Sequence, residues 1–226
     1  MDYLQAAASM NNMGVVSMSQ RGGQRAALAY YKAALESLCT KVQCSTPTLA
    51  CTAVPRTFGN CQGSNLPFVP VSLGATCLSA DASSFTFSKA FVFNTSVRLL
   101  EEYLESYQAV ILFNVALLYD NRGDNAPTSY EAKALELYIN TLDILLCPQA
   151  ITLDCSNVVI AALNNKAQIF FRRSDFVNTR ESLVELAIHL HKTFVIDRNK
   201  SMDEHDINGL LLNVQSQVYV HCAPCA

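Results

Sequence analysis

Ala109-Val110-Ile111-Leu112-Phe113-Asn114-Val115-Ala116-Leu117-Leu118-Tyr119 is the stretch on which the reading of the fold turns. It is the richest apolar run in the chain, yet it falls short of the ~18 residues a membrane span needs and is broken by Asn114. Its centre, Asn114-Val115-Ala116, has two counterparts, Asn12-Met13-Gly14 and Asn165-Lys166-Ala167. Each is an asparagine, one residue, then glycine or alanine, inside a stretch of helical period. A weaker echo is Leu212-Asn213-Val214.

Each of the first three is followed by a turn signal: Arg21-Gly22-Gly23, Asn121-Arg122-Gly123-Asp124, and Arg172-Arg173-Ser174-Asp175. A second amphipathic stretch follows each turn: Arg25 to Leu38, Tyr130 to Leu146, and Val177 to Val195. Leu183, Leu186, Leu190 and Phe194 form one helical stripe, and Leu135, Tyr138, Leu142 and Leu145 form another. Thr128-x-x-Glu131 and Ser201-x-x-Glu204 read as capping boxes at helix starts. The pattern predicts a helix-turn-helix unit written three times, with a final helix.

These units resemble the tetratricopeptide-repeat family. Met13-Gly14 stands at that family's L-G pair, with Ala26, Tyr30 and Ala33 at its small-large-small spacing on the second helix. Val115-Ala116 and Tyr119, then Ala134 and Tyr138, match in the second unit. Ala167 and Phe170, then Leu183, match in the third, with Thr179 where alanine is expected. The small residue lets two helix backbones approach closely. No Trp opens a unit, no Pro closes one, and the spacings Asn114 to Asn165 and Asn165 to Asn213 exceed the family period. The resemblance implies an all-α, short right-handed superhelix of about three helix pairs plus a final helix, in a single domain over residues 1–226.

Residues 45–98 interrupt this pattern. Rich in Ser, Thr and Pro and poor in charge, they read as an irregular or β insertion between the first and second helix pairs. Phe85-Thr86-Phe87 and Phe91-Val92-Phe93 alternate, with Ser88-Lys89-Ala90 between, which suggests a short β-hairpin. Val218 and Val220 suggest a strand beside it.

Composition narrows function. Half the residues are hydrophobic, 15% are charged, and the net charge is −3, so phosphate neutralisation of a nucleic acid is not expected. The N-terminus carries an early acid and no basic n-region, and no span is long enough for a membrane. A cytoplasmic or nuclear setting with reduced cysteines follows as the expectation. The nine cysteines include Cys222-Ala-Pro-Cys225 at the chain end and irregularly spaced Cys39, Cys44, Cys51, Cys61 and Cys77. The first is a C-x-x-C pair that lacks the two further ligands a zinc site needs and the helix N-terminus a redox pair needs, and the second has no close pairs, so no metal or other cofactor is expected. His189 and His191 point to different sides of a helix and cannot share a ligand. No nucleophile elbow, zincin, dinucleotide or phosphate-loop motif is present, and the acids Glu101-Glu102 and 203–206 sit at helix starts, where they suit the dipole. The chain is therefore not expected to be an enzyme.

What remains is binding. The resemblance places the first helices on a concave groove, with Asn12, Asn114, Asn165 and Asn213 facing it. An amide offers donor and acceptor together, so a row of them can pair with the backbone of a protein or peptide partner irrespective of sequence. On this reading, losing Asn114 and Asn165 weakens partner binding and barely moves stability. The alternative is a structural subunit that packs into a larger complex through its apolar insertion; a thiol- or metal-dependent enzyme is the remaining possibility.

Overall fold

The computed structural model describes residues 2–42, 67–73, 85–121, 128–147, 155–196 and 202–220. Among them are seven α-helices: α1 (Tyr3–Met18), α2 (Gln24–Val42), α3 (Leu104–Asp120), α4 (Thr128–Leu145), α5 (Ser156–Arg172), α6 (Phe176–Leu190) and α7 (Glu204–Val220). A single 3-10 turn leads into α3, and a π-helical turn, His191–Ile196, extends α6. Two strands, β1 (Phe68–Ser72) and β2 (Lys89–Phe93), complete the elements.

Helix boundaries follow local chemistry. Asp2 caps α1, its carboxylate accepting the Leu4 N–H, and Asp175 caps α6 by accepting the Asn178 N–H. The α1–α2 turn passes through Gly22 at φ 78°, where a side chain would be strained. Asp203 accepts the Asp206 N–H at the start of α7. Ser201 lies outside the described residues, and Glu131 turns its carboxylate to Arg172 and Arg173 of the α5 end.

Consecutive helices pack in pairs, α1 on α2, α3 on α4 and α5 on α6, and weaker contacts join each pair to the next and α6 to α7. The second helices turn in alternate large and small residues. Ala27, Tyr31 and Ala34 of α2 are fully buried, whereas Ala26, Tyr30 and Ala33 lie one position off that stripe and keep solvent access, with Tyr30 37% exposed. The buried small-large-small stripe of α2 thus lies one residue later than expected, because Ala26-Ala27 and Tyr30-Tyr31 offer two equivalent stripes and packing against α1 selects the second. In α4 and α6 the expected positions are the buried ones: Ala134 and Tyr138, then Thr179 and Leu183.

Gly14 shows why a small residue is needed. A Cβ built there would lie 2.5 Å from Tyr31 Cε1, so the bare backbone of α1 receives the buried Tyr31 ring. Ala116 and Ala167 are likewise fully buried in α3 and α5.

The insertion departs from expectation. Residues 85–87 and 91–93 do not form a hairpin. They belong to one run, residues 85–93, whose second half is β2, and β2 pairs antiparallel with β1 in the register Phe68↔Phe93 to Ser72↔Lys89. Ser88-Lys89-Ala90 contains no Gly, Asn or Pro to turn the chain back, so the run goes straight through. The expected strand at Val218 and Val220 is instead the last turn of α7. β2 lies against α1 and α3, and the aromatic side chains of the run enter the core: Phe87, ahead of β2, and Phe91 and Phe93 within it are all buried.

Candidate functional site

Asn12, Asn114, Asn165 and Asn213 stand on α1, α3, α5 and α7, and each meets the backbone of residues 85–93 at two points. Asn12 Oδ1 accepts the Phe93 N–H at 2.8 Å and its Nδ2 donates to the Phe93 carbonyl at 2.8 Å. Asn114 does the same to Phe91, at 2.9 and 2.7 Å. Asn165 holds Phe87, at 2.9 Å both ways. Asn213 holds Phe85, at 2.8 and 2.5 Å. The held segment runs antiparallel to the order of the helices.

The stepping of this row is geometric. From Asn12 to Asn213 the held residues are 93, 91, 87 and 85, eight residue steps across three helix-to-helix steps. Eight residues of extended chain span ~27 Å. Three interaxial distances of ~8–10 Å give the same length. Each amide therefore meets an odd-numbered residue, whose N–H and C=O point to the same edge of the strand.

The even-numbered residues point to the other edge, where β1 lies. Asn94 N–H donates to the Pro67 carbonyl at 2.7 Å, which fixes that alternation. Pro70, opposite Phe91, then has its nitrogen on the outer edge of β1, where a missing N–H costs no ladder bond and leaves one fewer donor for further strands.

Two further amides complete the row. Asn11 Nδ2 donates to the Phe91 carbonyl at 3.0 Å, and its Oδ1 accepts from Asn114 Nδ2 at 2.9 Å. Asn164 Nδ2 donates to the Phe85 carbonyl at 3.0 Å, and its Oδ1 accepts from Asn213 Nδ2 at 2.6 Å. Asn165 spends its remaining N–H on the Tyr138 hydroxyl, at 3.0 Å. The doublets Asn11-Asn12 and Asn164-Asn165 were the signal for these extra residues.

The Tyr138 hydroxyl in turn donates to Asp120, 3.4 Å away, which accepts from Arg172 at 2.7 Å. Burial pushes the Asp120 carboxyl up, against the lowering effect of Arg172. Burial also holds the Tyr138 hydroxyl well above its ordinary value, aided by the charge on Asp120. A continuous polar path thus joins the amide row to the ion pairs of Arg172 and Arg173 with Glu131.

Between the pairs of clamps sits Lys89. No asparagine meets its backbone among the bonds of the row; its ammonium pairs instead with Asp203 and with Asp206, the latter at 2.7 Å. These acids, expected at the α7 start only as dipole partners, reach across to the insertion. Hydrogen bonding to Lys89 holds the Asp203 carboxyl below its ordinary value, while burial raises that of Asp206.

The aromatic side chains are packed individually. Phe87 and Phe91 stack at 5.9 Å between centroids and both meet Phe113 edge-on. Phe93 meets Tyr107 at 5.7 Å and Phe85 meets His205 at 6.1 Å. Gly209 leaves the space on α7 that the Phe85 ring fills.

Of the remaining candidates, Cys222 and Cys225 lie outside the described residues, as do Cys44, Cys51, Cys61 and Cys77. Cys155 is buried, and Cys39 and Cys147 are exposed, all as free thiols. Among the described residues no group of three or more His, Cys, Asp or Glu converges as a metal site, and no helix is long and apolar enough to cross a membrane. Comparison of the chain with protein-family models, with curated proteins and with solved structures finds no match.

Proposed function

We propose that this chain is a helical-repeat binding module of tetratricopeptide-like superhelical form. Its first-helix face grips an extended polypeptide by the main chain, and residues 85–93 are a built-in occupant that a partner segment replaces. The observation that supports this reading is the set of four two-point amide clamps on Phe85, Phe87, Phe91 and Phe93. Such contacts use groups every residue except proline possesses. A face that holds one strand by its backbone is chemically able to hold another.

The competing reading makes residues 85–93 a permanent part of the core, and the full burial of Phe87 and Phe91 favours it. The two differ in whether the segment leaves while the helices stay folded. Native-state hydrogen exchange on the full chain decides. The module reading expects the Phe87 and Phe91 amides to exchange through a local opening, well before the Leu117 and Ile160 amides of α3 and α5. It also expects a labelled synthetic peptide of residues 83–95 to bind saturably. Exchange of Phe87 and Phe91 only through global unfolding, with no peptide bound, makes the face a closed core.

A further inference from the structure

Resting on that reading, we propose that the face selects its ligand by a central cation: an extended segment of the form aromatic-x-aromatic-x-Lys/Arg-x-aromatic-x-aromatic, with the cation seated on Asp203 and Asp206.

The amide clamps cannot supply selectivity, because they address only backbone. Their sole demand on sequence is an N–H at the four clamped positions, which excludes proline there. Selectivity must come from side chains, and the built-in segment Phe85-Thr86-Phe87-Ser88-Lys89-Ala90-Phe91-Val92-Phe93 is symmetric about Lys89. Clamped aromatics stand two and four residues to either side. At the centre, the ammonium stands where a clamp would be expected.

Lys89 is the only charged residue in this segment, and it meets two acids from one helix end. They differ in setting. The Asp203 side chain is 53% exposed, whereas that of Asp206 is 5% exposed. A segment with a neutral residue at the centre leaves Asp206 as a buried carboxylate without this counterion, and an acid there adds repulsion. Leaving one partner of a buried ion pair uncompensated is strongly unfavourable, so the pair acts more by rejecting wrong segments than by adding affinity to right ones. The aromatic positions add shape: the stacked Phe87 and Phe91 share the Phe113 ring, and Phe85 needs the gap at Gly209.

The test uses the full wild-type chain and four labelled peptides of residues 83–95: the parent sequence and its Lys89→Arg, Lys89→Gln and Lys89→Glu forms. Binding is read by fluorescence anisotropy at low and high salt. The built-in segment competes at the high effective concentration of a tethered ligand, so all affinities are weak and only their ratios matter. The expected result is that the Arg form binds within about threefold of the parent, the Gln form at least about tenfold more weakly, and the Glu form not measurably. The parent should also lose affinity with salt. A chain carrying Asp206→Asn keeps only the exposed Asp203 and should therefore prefer the Lys over the Gln form by less than the wild-type chain does, an undiminished preference removing Asp206 from the rule; should that chain fail to fold, the peptide series on the wild-type chain stands by itself. Equal binding of the Lys and Gln forms overturns the cation rule and leaves the backbone grip intact. Absence of binding by any peptide overturns both.

Discussion

Asn165 and Phe87 exchange a closed pair of hydrogen bonds, the side-chain amide accepting the Phe87 N–H and donating to its carbonyl, each at 2.9 Å. Two residues facing each other in an antiparallel ladder exchange bonds in the same way. The helix face thus does the work of a neighbouring strand. With β1 on the opposite edge, β2 is paired on both sides, once by backbone and once by asparagines.

Asn165→Asp isolates the donor half of that exchange. The carboxylate keeps the size and the acceptors but cannot donate to the Phe87 carbonyl or the Tyr138 hydroxyl, both fully buried. An unpaired buried polar group costs ~1–3 kcal/mol, more when a charge is involved. Urea denaturation at pH 7 should show a loss of at least ~2 kcal/mol. The loss should shrink as the pH falls and the buried carboxyl regains a proton to donate. A variant as stable as the parent at pH 7 removes Asn165 from the row.

The row should also be graded. Asn114 is fully buried and Asn12 only half-buried. Asn114→Ala orphans the Phe91 N–H, while Asn11 still serves the carbonyl, so a cost of ~1–3 kcal/mol is expected. Asn12→Ala at the wetter end should cost about 1 kcal/mol or less, water taking its place. The asparagine row considered alone suggested that such changes would spare stability. They should not, because the face they line is already filled by residues 85–93.

At the helix crossings, Gly14→Leu and Ala116→Leu should each lower stability by ~1–3 kcal/mol through overpacking. Gly14 is the sharper case, since even one added carbon meets the Tyr31 ring. Thermal melts of both variants check this, and parental melting of both contradicts the close crossings.

Acid should loosen the Glu131 ion pairs. Partial burial would raise this carboxyl, but the hydrogen bonds from Arg172 and Arg173 outweigh it and hold the group below its ordinary value of 4.5. A carboxyl lowered in the folded state stabilises it above the unfolded value and ceases to do so as the pH falls through the folded one. Glu131→Gln should therefore be less stable than the parent at pH 7, with the difference shrinking as the pH falls below 4.5 and gone once it has passed through the lowered folded-state value. A difference that stays constant across this range assigns the effect to packing and not to charge.

The helical part of this fold was legible in the chain because helix periodicity is local. Leu135, Tyr138, Leu142 and Leu145 lie on one stripe whatever surrounds them, and all are buried. The small residues at Gly14, Ala116 and Ala167 and the recurring asparagines could be read for the same reason: each lies at a fixed offset within its own helix. The register of α2 was misread by one residue, since Ala26-Ala27 and Tyr30-Tyr31 offer two equivalent stripes and only packing against α1 chooses between them. The hairpin was misread because alternation in Phe85–Phe87 and Phe91–Phe93 reports a strand without naming its partner. That partner is β1 on one edge and helices α1, α3, α5 and α7 on the other, brought together across separations of up to 128 residues. Lys89 and the pair Asp203 and Asp206 are likewise invisible to any local pattern, lying 114 and 117 residues apart in the chain. Amino-acid order alone therefore determined the helix pairs and which asparagines share a face, though not the end of α7, where the alternation of Val218 and Val220 reads as a strand. Only tertiary structure decided what fills that face, because a backbone-directed amide is indifferent to sequence, and its occupant is whichever strand the rest of the fold delivers.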